Sequence, residues 1–246
     1  MATASFRFHG ELAEFLPRSR RGIAFDYACA RAATLKNAIE ALGVPHTEAA
    51  LLLVNGAPAT LPRIVREGDS IEVYPWPRRP ERAAPQALAF LADAHLGGLA
   101  RFLRMLGYDT LHENAISDRD IRRIAASEPR VVLSRDRELL KCRDIAQGCY
   151  VHGLRAEEQL REVAARYDLV SRARPFTLCL ACNVRLESVA KQAVLGRLPP
   201  AVAASRERFM HCVRCDRVFW EGSHFARMQA VLGRVLALPG SPPPAG

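Results

Sequence analysis

The stretch Ala87–Asp109 constrains this chain more than any other. Leu88 to Ala92 is a short apolar run of the kind that becomes a strand buried on both faces, and it stops at a lone carboxylate, Asp93. Gly97 and Gly98 follow. Leu99, Phe102, Leu103 and Leu106 then recur at helical spacing, with Arg101 and Arg104 off that apolar stripe. Gly107 ends the helix and Tyr108–Leu111 reads as the next strand. A carboxylate at the C-terminal tip of the first strand of an α/β unit stands where open parallel sheets carry their chemistry. The competing role for Asp93 is to cap the following helix.

The same pattern continues downstream. Ser117 is an N-cap for a helix containing Ile121 and Ile124, with Asp118 and Asp120 in its first turn, where stabilising the helix dipole is their minimal role. Arg130–Ser134 is a strand that ends at Arg135-Asp136-Arg137-Glu138, so Asp136 repeats the situation of Asp93. Cys149–Val151 supplies another strand and Glu157–Tyr167 another helix. This alternation predicts a parallel sheet with right-handed crossovers. Two aspartates at strand tips and a third at a helix start can converge at one end of such a sheet. Crowded like charges are costly without a cation between them, and oxygen-only donors suit magnesium or manganese. No GxxxxGKS/T run occurs, so a phosphate-cradling loop of that type is excluded.

Seven cysteines divide into two CxxC knuckles, Cys179/Cys182 and Cys212/Cys215, separated by 29 residues, and three scattered thiols, Cys29, Cys142 and Cys149. Two thiolates from each tight turn complete a closed tetrahedral site, which predicts structural zinc in a reducing compartment. Phe219 and Trp220, just beyond the second knuckle, either stack on bases or pack the module's core. The net charge of +9 is almost entirely arginine, which favours a polyanionic partner such as RNA. No apolar run is long enough to span a membrane and no leader opens the chain, so a cytoplasmic protein with no membrane partner is expected.

Upstream, Ser5–Phe8 and Ile23–Tyr27 read as a strand pair, Thr34 caps a helix through Leu42, and Leu51–Val54 is a buried strand halted by Asn55-Gly56. Ser70–Tyr74 reads as a closing edge strand. Strand, strand, helix, strand, strand is an α+β roll. Its LLLVNGAPATL…VREGDSIEVYP resembles the ubiquitin-like β-grasp family of small sulfur carriers. Those carriers work through a terminal Gly-Gly, whereas this chain continues Pro75-Trp76-Pro77, so the resemblance implies a docking or RNA-positioning unit, with a protein partner, rather than a conjugated one.

FLADAHLGGLARFLRMLGYDT, SDRDI, RVVLSRDRELL, CLACNVRL and FMHCVRCDRVFWEGSH together resemble the RNase family at the C-terminus of the Mut-seven exonuclease, a branch of the PIN-like nucleases. The resemblance implies that Asp93, Asp118 and Asp136 are the acidic catalytic residues holding Mg or Mn, with Asp120 or Glu138 as a fourth. It also implies that Arg101, Arg104 and Arg135 meet RNA phosphates, and that Cys179, Cys182, Cys212 and Cys215 hold zinc. The expected organisation is a β-grasp domain (1–75), a Pro/Arg-rich linker (76–86), a PIN-like α/β nuclease domain (87–172), a zinc ribbon with a C-terminal helix (173–236) and a disordered tail (237–246). The expected activity is metal-dependent hydrolysis of RNA; a non-catalytic RNA-binding or ribosome-associated adaptor is the alternative.

Overall fold

A computed structural model describes residues 1–77 and 88–236. The linker expected over 76–86 therefore falls mostly outside the described residues, as does the tail expected over 237–246. No described helix is long and apolar enough to cross a membrane.

The first sheet contains β1 (Ala2–Phe8), β2 (Phe25–Cys29), β3 (Ala49–Val54), β4 (Ala57–Ala59) and β5 (Ser70–Pro75), with α1 (Leu35–Ala41) between β2 and β3. Thr34 caps α1 by accepting from the Asn37 amide. The strand order is β2-β1-β5-β3-β4, and β5 runs parallel to β1. This corrects the expectation that β5 closes an edge. It is central, and its inward residues Ile71 and Val73 are wholly buried beside Phe6, Phe8 and Ile39. The polar residues of the VNG…GD motif hold the β3–β4 turn to the start of β5. Asn55 donates to Asp69 Oδ1 (3.0 Å) while accepting from the Ser70 amide (2.8 Å). Asp69 also receives the Arg63 guanidinium (2.7 and 3.1 Å), which holds its carboxyl down at about 2.

The second sheet is all parallel, in the order β7-β6-β8-β9. Its strands are β6 (Phe90–Ala92), β7 (Thr110–Leu111), β8 (Val131–Ser134) and β9 (Gly148–Tyr150). The helices α2 (Gly97–Met105), α3 (Asp118–Ser127), α4 (Arg137–Leu140) and α5 (Ala156–Tyr167) alternate with them. Every residue of β6 and β8 is buried, as the continuous apolar runs require. The connection from β6 leads outward to β7, and the next one returns past β6 to β8. The order of travel thus reverses between β6 and β8, which opens a crevice at their C-terminal tips.

The third part holds β10 (Glu187–Val189), α6 (Lys191–Val194), α7 (Pro200–Ser205), β11 (Phe209–His211) and β12 (Val218–Phe219) in an antiparallel three-stranded ribbon. The last helix, α8 (Ser223–Leu236), leaves the ribbon. It returns Leu232 and Val235 to the core over the second sheet, where Arg161 Nε donates to Val235 O (3.1 Å).

β9 is an edge strand, and its exposed N–H row would be a liability if left open. The first domain covers it. Glu48 Oε1 accepts the Tyr150 amide (2.8 Å), and Oε2 accepts Arg166 Nη1 (2.6 Å). Arg166 Nη2 reaches the Thr47 and Gly148 carbonyls (3.1 Å each), and its guanidinium lies over the Trp76 ring. Trp76 Nε1 donates to Thr47 O (2.8 Å), and His46 Nε2 contacts Ile145 O (3.1 Å). The Glu48 and Arg166 side chains are only 4% and 11% exposed, so neither charge is solvated if the other is removed. Glu48→Gln is expected to destabilise the protein by about 3 kcal/mol in denaturant unfolding, and a Glu48→Gln/Arg166→Met double variant to recover much of that loss.

Candidate functional site at the C-terminal tips of the parallel strands

The tip of β6 presents Asp93, which is 8% exposed. Its Oδ1 accepts the Ala94 amide (2.6 Å), beginning a short 3-10 turn before α2. Its Oδ2 accepts the hydroxyl of Ser134 (2.6 Å), the buried last residue of β8. The Ser134 oxygen in turn accepts the Asp136 amide (2.9 Å). Asp136 is exposed and caps α4, its Oδ1 accepting the Glu138 and Leu139 amides (2.7 and 3.3 Å). One hydroxyl therefore ties the two strand-tip aspartates together across the β6/β8 crevice.

Asp118 opens α3 and is exposed. Burial raises the Cys142 thiol, opposed by Arg122, with Asp144, Asp118 and Asp136 adding to the rise. The three aspartates do not close into one cage. Among the described residues, the four cysteines alone form a group of three or more metal-ligating atoms within 4.8 Å of one another. A magnesium site needs no such cage, because that ion is held by one or two carboxylates and keeps waters and substrate oxygens for the rest.

The residues expected as a fourth carboxylate are locally engaged. Asp120 accepts the Ser117 hydroxyl (2.7 Å), which lowers its pKa, and pairs with Arg123 (3.6 Å). Glu138 pairs with Lys141 (2.7 Å). Arg101 and Arg135 are exposed, the latter directly after Ser134. Arg104 departs from the phosphate-binding expectation because it is buried, 7% exposed. Its Nε donates to Thr110 O (2.9 Å) and its Nη1 to Leu180 O and Ala181 O (3.0 and 3.1 Å). Burial lowers its pKa, opposed by the Cys179 and Cys182 sulfurs and Asp109. Arg104 thus ties α2 to the first knuckle and offers no free face to a phosphate.

The knuckles are near-copies. Cys179 and Cys212 donate their amides to Val184 O and Arg217 O (2.8 and 3.0 Å) and accept the amides of Asn183 and Asp216 (2.9 and 2.8 Å). Asn183 and Asp216 take φ of 59° and 58°, a region where short polar side chains are favoured. Cys179 Sγ lies 3.7 Å from Cys215 Sγ. A tetrahedron with metal–sulfur bonds of about 2.3 Å has edges of about 3.8 Å, so this group can hold zinc. Asn183 also anchors the knuckle to the N-terminal end of the parallel sheet, donating to Asp109 (2.5 Å) and accepting the Thr110 amide (2.9 Å). Gly107 permits the approach: its φ is +88°, and a Cβ there would lie 2.2 Å from Arg174 O.

Two contributors escape sequence reasoning. His112, beyond the tip of β7, contacts Ala94 O through Nε2 (3.2 Å) and packs on Gly97, where a Cβ would come within 3.0 Å of the ring. Arg137 lies over the Phe15 ring of the first domain (4.8 Å) and near Tyr150 (5.6 Å), which brings that domain beside the start of α4. A histidine after a strand and an arginine after Asp136 carry no distinguishing local pattern.

Family models match two parts of the chain: the Mut7-C RNAse domain over residues 88–232 and the Mut7-C ubiquitin domain over residues 1–80. Two crystal structures of small archaeal modifier protein 1 from Haloferax volcanii are similar at 22% identity and a TM-score of 0.25. They cover 30% of this chain and 98% and 94% of theirs. No curated protein matches.

Ser134→Ala removes both the donor to Asp93 and the acceptor for the Asp136 amide. It is expected to cost about 1–3 kcal/mol in denaturant unfolding, with Ser134→Thr close to wild type.

Proposed function

The chain belongs to the Mut7-C RNAse domain family, and on that premise we propose that it is a metal-dependent ribonuclease with a structural zinc ribbon. The observation that carries this reading is the Ser134 hydroxyl joining Asp93 and Asp136 at the point where the parallel sheet reverses its order. One or two of the carboxylates of Asp93, Asp118 and Asp136 would hold Mg or Mn, with water and substrate oxygens completing its shell. Bound there, the cation would offset charge at a phosphodiester and make water acidic enough to attack it.

The chain's own residues do the positioning. Asp93 accepts two hydrogen bonds from protein, one on each oxygen, which fix the carboxylate plane and leave lone pairs for a ligand. Ser134 is the common partner that keeps Asp93 and Asp136 in register. Arg101 and Arg135, both exposed, are the phosphate contacts; Arg135 follows the serine directly. The four cysteines hold zinc as a closed site with no open coordination position, so that metal shapes the ribbon and does not meet substrate. The ubiquitin-like domain acts as a fixed wall, since the chain that would carry a free diglycine is instead docked at Trp76.

With manganese, the wild-type chain is expected to cleave single-stranded RNA. Asp93→Asn should lower the rate at least 100-fold while RNA binding persists; binding without cleavage by either protein would replace this reading with that of an RNA-binding adaptor. Metal analysis should find one zinc per chain. Cys179→Ser should lose it and unfold the ribbon, seen as new protease cleavage between residues 173 and 222.

A further inference from the structure

A groove of about 670 Å³ lies between the ribbon and the first turns of α8, away from the aspartates. Phe176, Leu180, Phe219, Trp220, Phe225 and Met228 line its floor and walls, and Arg185 and Arg208 also line it. Phe176 and Phe225 close one side with ring centres 4.1 Å apart. Phe176 is delivered there by a φ of 62°, unusual for an aromatic residue, with its amide bonded to Met105 O (3.0 Å). Arg185 and Arg208 are exposed, and the sole acidic residue lining the groove is Glu221.

We propose that this groove binds unpaired bases of single-stranded RNA, with Trp220 as the stacking platform and Arg185 and Arg208 on the flanking phosphates. The proposal rests on the ribonuclease reading for its substrate class. Three observations select this occupant. Residues 173–236 carry ten basic and four acidic side chains, so the segment that forms the groove holds most of the chain's surplus positive charge, with Arg185 and Arg208 on the groove itself. An aromatic wall beside guanidinium groups is the general solution for sequence-tolerant strand binding. An extended peptide would need a strand edge to pair with, and the ribbon's two edges, β10 and β12, are only three and two residues long. A second copy of the chain would bring the same positive charge to the same face.

The groove's position has a kinetic corollary. Phe176 and Arg174 bond to Met105 O and Leu106 O, at the C-terminal end of α2, whereas Asp93 lies near its N-terminal end. The nine residues of α2 span about 14 Å, so a strand must be several nucleotides long to occupy both places. The groove therefore lowers KM for long strands and not for a dinucleotide.

The test is fluorescence anisotropy of a labelled oligouridine on the full-length Asp93→Asn protein, alongside an abasic strand of equal length. Trp220→Ala is expected to weaken oligouridine binding about 5- to 150-fold, and to leave abasic binding unchanged. Arg185→Gln and Arg208→Gln should each reduce the slope of log affinity against log salt by about 0.7. Trp220 also packs against the ribbon core, so zinc content is measured on every variant; if Trp220→Ala loses zinc, the exposed arginine variants and the abasic comparison decide. Equal wild-type affinity for abasic and base-bearing strands overturns the proposal. So does a dimer in sedimentation that Trp220→Ala dissolves. Cleavage by the Asp93-bearing protein is scored separately: strand binding through Trp220 without cleavage defeats the nuclease reading alone, and cleavage with affinity indifferent to Trp220 defeats the groove alone.

Discussion

The hydroxyl of Ser134 is the smallest group on which the arrangement depends. Asp93 ends a strand with no exposed face, and a carboxylate so placed persists only where donors meet it. The Ala94 amide is supplied by the chain itself, but Ser134 comes from a strand 41 residues away, and it arrives only because β8 pairs directly with β6. That pairing requires the connection after β7 to double back, so the topology and the carboxylate's environment are one fact. Asp136 then inherits its position through the backbone, since its amide bonds to the same oxygen that serves Asp93.

Much of this was legible in the residues. The apolar run before Asp93, the serine and threonine caps at Ser117 and Thr34, and the paired CxxC spacing all report local physics, and the elements formed close to where those signals lie. The failures share a cause: each depends on which surface a side chain meets at long range. Arg104 and Arg101 look alike as off-stripe arginines, yet Leu180 and Ala181 carbonyls, more than seventy residues on, bury one and leave the other in solvent. Ser70–Pro75 alternates as an edge strand would, and only its parallel partner β1 makes it central.

The ribbon is joined to the nuclease sheet by polar contacts that meet at its first knuckle. Arg104 holds the carbonyls between the two cysteines of that knuckle, and Asn183, directly after the second, reaches from it to Asp109 and Thr110. Arg130 extends the network, bonding Asp109, Glu128 and Phe90 O. A tetrathiolate zinc centre carries excess negative charge, and Arg104 is the buried cation nearest to offset it. The cysteine knuckle and the lower end of the sheet are thus joined by the Arg104 and Asn183 hydrogen bonds, beside apolar packing of Phe176, Leu180, Leu232 and Val235 on the same core.

The meeting of Glu48 and Arg166 has an evolutionary corollary. Two formerly separate units can be joined by chance and parted again as long as their shared surface is wet and shallow. Once a cation on one unit has its counterion on the other, away from solvent, losing either partner alone leaves the other's charge buried and unpaired. The junction then works as a ratchet: later changes can refine the joined form, but reverting to independent parts demands at least two simultaneous substitutions.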